Sequence, residues 1–282
     1  MRALALLALL AALVAGCGAN DPLAAEEVSA AAEETASAGS SRIGISGTDG
    51  KDTFSMTGVA DYEGRRTHLT YNSIQDGEEI DGEMLLVDDA FYVSSDAFFD
   101  AADLAGAPPE ARKRFGGVRW LSFPVPFDVD RSLDNLVLPF PLVDPSELLR
   151  TVQEAGGEPK RLGEKDVRGT PTDGYRLELD LAQLIERAPE EHRKSLRTEL
   201  AGRAEKTFPV EVWIDEVGRA RRFVLELDET PATVDFFDFG IDVEVQAPPE
   251  DEVFDGDEFF AGTVEDTSGI GELEEMPPTI EE

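Results

Sequence analysis

Phe208-Pro209-Val210-Glu211-Val212-Trp213-Ile214-Asp215, followed by Glu216-Val217-Gly218, is the stretch on which the fold turns. Phe208, Val210, Val212 and Ile214 alternate with Glu211, Trp213 and Asp215. That period of two predicts a strand with one apolar face. Glu216-Val217-Gly218 reads as a turn, and Phe223, Leu225 and Leu227 alternate again on the returning strand. So short a connection makes the pair antiparallel, because parallel strands need long crossovers. One apolar face per strand implies a sheet that is packed on one side and wet on the other.

The same theme extends in both directions. Phe237, Phe239, Ile241, Val243 and Val245 alternate with Asp238, Gly240, Asp242 and Glu244, which predicts a closing strand. Upstream, Lys160 to Gly169 and Thr172 to Asp180 form a hairpin around Thr170-Pro171, and Leu181, Leu184 and Ile185 suit a helix. Pro189 interrupts that helix, and Glu190 to Ala204 resumes it. Asp144-Pro145-Ser146-Glu147 is a helix start, with Asp at the N-cap, Pro at N1 and Glu at N3. Leu148, Val152 and Ala155 then share a face until Gly156-Gly157 stops the helix. In the first half, strands are predicted over Arg42–Gly47, Phe54–Tyr62, Arg66–Tyr71, Glu79–Val87, Phe91–Ser94 and Arg119–Phe123. They are joined by turns at Thr48–Asp52, Glu63-Gly64 and Asp88-Asp89. Asp96 to Gly117 reads as helical turns and loop, and Pro124 to Pro141 as an apolar, proline-rich loop. Leu23 to Ala38 is an Ala/Glu-rich helix closed by Gly39.

The N-terminus carries a different message. Arg2 is followed by an uninterrupted Ala/Leu run from Ala3 to Leu13, long enough for a signal sequence and too short to span a bilayer. Val14-Ala15-Gly16-Cys17 resembles the bacterial lipobox, and Cys17 is the sole cysteine. That resemblance implies a diacylglyceryl group on the Cys17 thiol and cleavage between Gly16 and Cys17. Residues 1–16 are then a signal peptide and 17–22 a tether. Residues 23–249 are the folded domain, and 250–282, acidic and without Lys or Arg, form a disordered tail. Two or more acyl chains anchor stably, so the mature chain is expected on the extracytoplasmic face of a cell membrane.

Composition and missing motifs narrow the function. The net charge of −35 argues against nucleic acid, which needs a basic patch. His68 and His192 lie far apart, and neither has metal-site spacing around it. No G-x-S-x-G motif or phosphate loop is present. Trp120 and Trp213 suit packing better than sugar binding. The expectation is a protein without catalytic residues, metal or cofactor.

Lipobox, helix, antiparallel meander, apolar loop, capped helix and further strands follow one another in an order that resembles the mycobacterial LppX/LprA/LprF/LprG lipoproteins and the wider LolA-like carriers. The resemblance is carried by Asp144-Pro145-Ser146-Glu147-Leu148-Leu149, by Val167-Arg168-Gly169-Thr170 through Tyr175-Arg176-Leu177, by Pro209 to Asp215 with Gly218, and by Phe239-Gly240 with Val243 to Pro249. It implies an α+β fold, a bent antiparallel half-barrel with helices on its concave face. It also implies an apolar cavity for a lipid or glycolipid. The cavity wall would come from the strands' apolar faces at Ile43, Ile45, Met56, Val210, Val212, Phe223, Leu225, Phe239 and Ile241. Leu148 and Val152 would form its cover, with Leu136 to Phe140 near the mouth. The alternative is an anchored structural or interaction module that uses the same fold with a filled core.

Overall fold

The computed structural model describes residues 22–75, 77–88, 90–104, 118–124, 145–187, 193, 197, 207–227 and 230–256. Within them a large open sheet of twelve strands carries a few helices. The strands are β1 (Ser40–Asp49), β2 (Asp52–Asp61), β3 (Arg66–Gln75), β4 (Glu78–Val87), β5 (Ala90–Ser94) and β6 (Trp120–Pro124). The second half supplies β7 (Lys160–Val167), β8 (Thr170–Asp180), β9 (Thr207–Asp215), β10 (Ala220–Leu227), β11 (Thr230–Phe237) and β12 (Val253–Asp255). Their order across the sheet is β12-β6-β5-β4-β3-β2-β1-β11-β10-β9-β8-β7. Every pairing is antiparallel except β12 with β6. Two meanders, β1 to β6 and β7 to β11, are thus joined where β1 meets β11.

Helices cover one face. In α1 (Pro22–Ser37), Ala24, Val28, Ala31, Ala32 and Thr35 fall on one stripe and are buried. The Thr35 hydroxyl accepts from the Ala220 N–H of β10 at 2.9 Å, which pins the end of α1 to the sheet. Leu148, Leu149 and Val152 of α3 (Pro145–Ala155) are buried beside it. On the other flank α2 (Ser95–Leu104) lies on β4. Gly82 permits this approach, since a Cβ there would stand 2.2 Å from that of Ala97. A short α4 (Leu181–Arg187) follows β8.

Three expectations are corrected. The β7–β8 turn is not at Thr170-Pro171, because Val167 pairs with Thr170. The turn is Arg168-Gly169, with φ of 52 and 84, and two consecutive positive φ values are what a tight hairpin requires. The closing strand is not 237–245 but β11, Thr230–Phe237. Asp238 and Gly240, with φ of 51 and 76, turn the chain out of the sheet. Residues 241–249 then run as a strap over the face opposite the helices, where Val243 and Val245 pack with Val59, Leu85, Val87, Tyr92 and Trp120. Phe239 and Ile241 therefore belong to no strand. Thirdly, the start of the expected disordered tail is ordered. Glu250–Glu252 form a 3-10 turn and Val253–Asp255 add the parallel strand β12 beside β6. Residues 257–282 lie outside the described residues, as do the expected signal, the tether up to Asp21, the loop 125–144 and most of the expected helix 190–204.

Candidate functional site

Strand registers place the apolar faces in rows. One row crosses the sheet through Tyr71, Met56, Ile45, Val234, Phe223, Val212, Tyr175 and Arg161, each directly opposite the next. The next row pairs Ala232 with Leu225, Leu225 with Val210, and Val210 with Leu177. Ile43, Ile45, Met56, Val210, Val212, Phe223 and Leu225 are all at most 8% exposed, and they join one core with Leu148 and Val152 of α3 and Ala24, Val28 and Ala31 of α1. Phe223 meets Phe236 edge-on at 6.0 Å, a preferred aromatic geometry. Nine of the eleven candidate lining residues are thus brought together. Phe239 and Ile241 are not among them. Phe239 packs at the margin of the core beneath the guanidinium groups of Arg219 and Arg221, at 5.0 and 4.8 Å. The Ile241 carbonyl accepts from the Ser40 hydroxyl at 2.6 Å. Gly16, Cys17 and Leu136 to Phe140 lie outside the described residues.

Open space lies beside this core. A groove of about 450 Å³ runs between the first half of α1 and the end of α3. Ala25, Val28 and Ser29 form one wall, Gln153, Gly156, Gly157, Glu158 and Pro159 the other, and Leu177 of β8 contributes to the floor. Gln153 ties the walls together, its amide donating to the Val28 carbonyl at 2.7 Å. Gly156 is packed tight, since a Cβ there would stand 2.2 Å from the Val152 carbonyl oxygen. At Gly157 a Cβ meets only the Glu178 carbonyl, at 3.8 Å. These residues were missed from sequence, where Gly156-Gly157 reads only as a helix stop.

A polar clasp at the sheet edge holds α1 in place. The buried Tyr175 hydroxyl donates to the Glu27 carboxylate, and Arg161 donates to Glu27 and, at 3.2 Å, to the Tyr175 oxygen. Burial, and then the neighbouring carboxylate, push the Tyr175 hydroxyl above the ordinary phenol range. Arg222 forks onto Asp235 at 2.6 and 2.8 Å, which holds the guanidinium firmly charged. His68 contacts Glu83 at 3.0 Å. Trp213 lies over Gly174 with Lys165 above its ring, and Trp120 is buried under the strap. Among the described residues no group of three or more His, Cys, Asp or Glu is arranged to hold a metal ion.

With this geometry in view, solved structures give a match. The Mycobacterium bovis protein LprF superposes with a TM-score of 0.51 at 14% identity, over 82% of this chain and 99% of LprF. The fold is that of LprF. Mycobacterium tuberculosis lipoprotein LppX aligns at 12% identity over 80% of this chain and all of that one, with a TM-score of 0.49. No protein-family model matches the sequence, and no curated protein matches it. The open, mostly antiparallel sheet, expected from strand periodicity and short connections, and its helices, expected on one face from the family resemblance, form the architecture shared with LprF.

Proposed function

We propose that this protein is a lipid-anchored lipoprotein on the extracytoplasmic face of a cell membrane, and that it binds or carries a lipid or glycolipid between its helices and its sheet. The observation that carries this reading is a continuous apolar sheet face, closed by α1 and α3, with an open groove between the two helices. The LprF fold and the lipobox at Cys17 support it. Burial of apolar surface, at about 25 cal/mol per Å², makes one sequestered acyl chain a strong ligand. Two measurements test the reading. Extraction of the native protein followed by lipid mass spectrometry is expected to recover a homogeneous lipid. Labelled palmitate is expected to mark the wild type and not Cys17→Ser, and label retained by the serine variant would overturn the anchor.

A second reading, an anchored structural or interaction module, is favoured by one observation. Nine candidate lining residues are packed against one another and against α1. An empty, compact protein after native extraction would select it.

A further inference from the structure

The groove beside α1 stands apart from the sheet's apolar rows in three respects. It is open where the rows are closed. Its volume falls within the range of small-molecule sites, roughly 300–1,000 Å³. It also sits at the start of the folded domain. Cys17 precedes Pro22, the first residue of α1, by five positions. Five residues span at most about 18 Å even when fully extended. Ala25 comes one helical turn later, about 5 Å along the axis. A groove wall formed by Ala25, Val28 and Ser29 is therefore held within a short reach of the lipidated residue, at the membrane surface.

We propose that this groove takes an acyl chain of a membrane lipid from the leaflet in which Cys17 is anchored, and that Gly157 keeps it open. The proposal rests on the lipid-binding reading above and gives it a location. Val28, Pro159 and Leu177 supply apolar contact, while Ser29, Gln153 and Glu158 supply polar groups. The protein's own acyl chains are a weaker choice of occupant, because stable anchoring needs at least two of them in the bilayer. Gly157 adopts a φ open to L residues, and its Cβ position is free of close contacts. A side chain there would fill the groove without disturbing the fold.

The mature acylated protein is reconstituted into phosphatidylcholine/phosphatidylglycerol vesicles that contain a phosphatidylcholine with a diazirine in one acyl chain. Irradiation and peptide mass spectrometry then map the label. Label is expected on peptides covering residues 25–29 and 153–159. In Gly157→Leu it is expected to fall by about tenfold, equivalent to about 1.4 kcal/mol, with an unchanged melting temperature. Ala25→Phe fills the same space from an exposed helix position and should act alike, which guards against a folding defect in the first variant. Groove labelling indifferent to both variants would overturn the site, since proximity to the bilayer alone would explain it. Label concentrated on β9 and β10 would also overturn the site while leaving the lipid-binding reading intact. Label that enters the groove only in Cys17→Ser would assign the space to the protein's own lipid. A wild type with no label at all would remove both the site and the reading beneath it.

Discussion

Two segments share the same alternation and meet different fates. Phe208 to Asp215 becomes β9, hydrogen-bonded on both sides, with Val210 and Val212 fully buried against the helices. Phe237 to Val245 alternates just as regularly, yet only Phe237 remains in a strand. From Ile241 the chain crosses the back of the sheet, with Val245 buried and Glu244 and Gln246 in solvent. Period two therefore reports an extended backbone between unlike surroundings. It does not report whether the backbone's own N–H and C=O groups find a ladder. What separates the two segments is local. Positive φ at Asp238 and Gly240 redirects the chain, and the Gly240 N–H and the Ile241 carbonyl are satisfied by Ser40.

The comparison can be broken or sharpened by substitution. Phe223→Ala, in the buried row beside β9, is expected to cost about 3–5 kcal/mol by denaturant unfolding, because a cavity opens in a dense core. A loss near zero would mean that the row already encloses free space. Val212→Trp should overpack the same row and cost about 1–3 kcal/mol. A protein that accepts the indole without loss has a roomy interior, and the filled-core reading then fails. Truncation after Pro249 removes β12, its three-residue ladder on β6 and the Phe254 contact with the core, but leaves the strap in place. About 1–2 kcal/mol is expected, seen as a melting temperature lower by a few degrees. An unchanged melting curve would show that β12 adds nothing to the edge it covers. Gly240→Ala should be mildest, at about 1 kcal/mol, since only the positive φ opposes a methyl group there. If it costs nothing, the redirection of the chain at this point does not depend on glycine.

These contrasts also show what was legible. Helix α1, which ends at Ser37 just before Gly39 with its φ of 73, was read from alanine content and one glycine. Most strands were placed because each buries alternate residues on the face that the helices cover. β11 was missed. It begins Thr230-Pro231, and its buried Asp235 breaks the apolar run between Val234 and Phe236. Its hairpin with β10 is local, but its other partner, β1, lies far upstream, and the Arg222–Asp235 fork that satisfies Asp235 exists only once β10 and β11 have paired. β12 was hidden by its acidic neighbours, because composition argues for disorder while Val253 and Phe254 supply just enough apolar contact to dock. The groove was invisible for a related reason. A gap between two helices is a property of how α1 and α3 diverge, and no single residue's periodicity encodes it.

The joint between β1 and β11 has a consequence for how the chain is made. Arg42 pairs with Phe237 across almost the full length of the domain. In a chain made N-terminus first, β1 arrives early with one edge unpaired, and the strand that seals it arrives nearly last. Val243 and Val245, which cover the sheet's back, arrive later still. Such non-local closure is slow and leaves strand edges open to neighbouring chains. A net charge of −35 then counts before the fold is complete, because half-assembled copies repel one another while the edge of β1 waits for its partner.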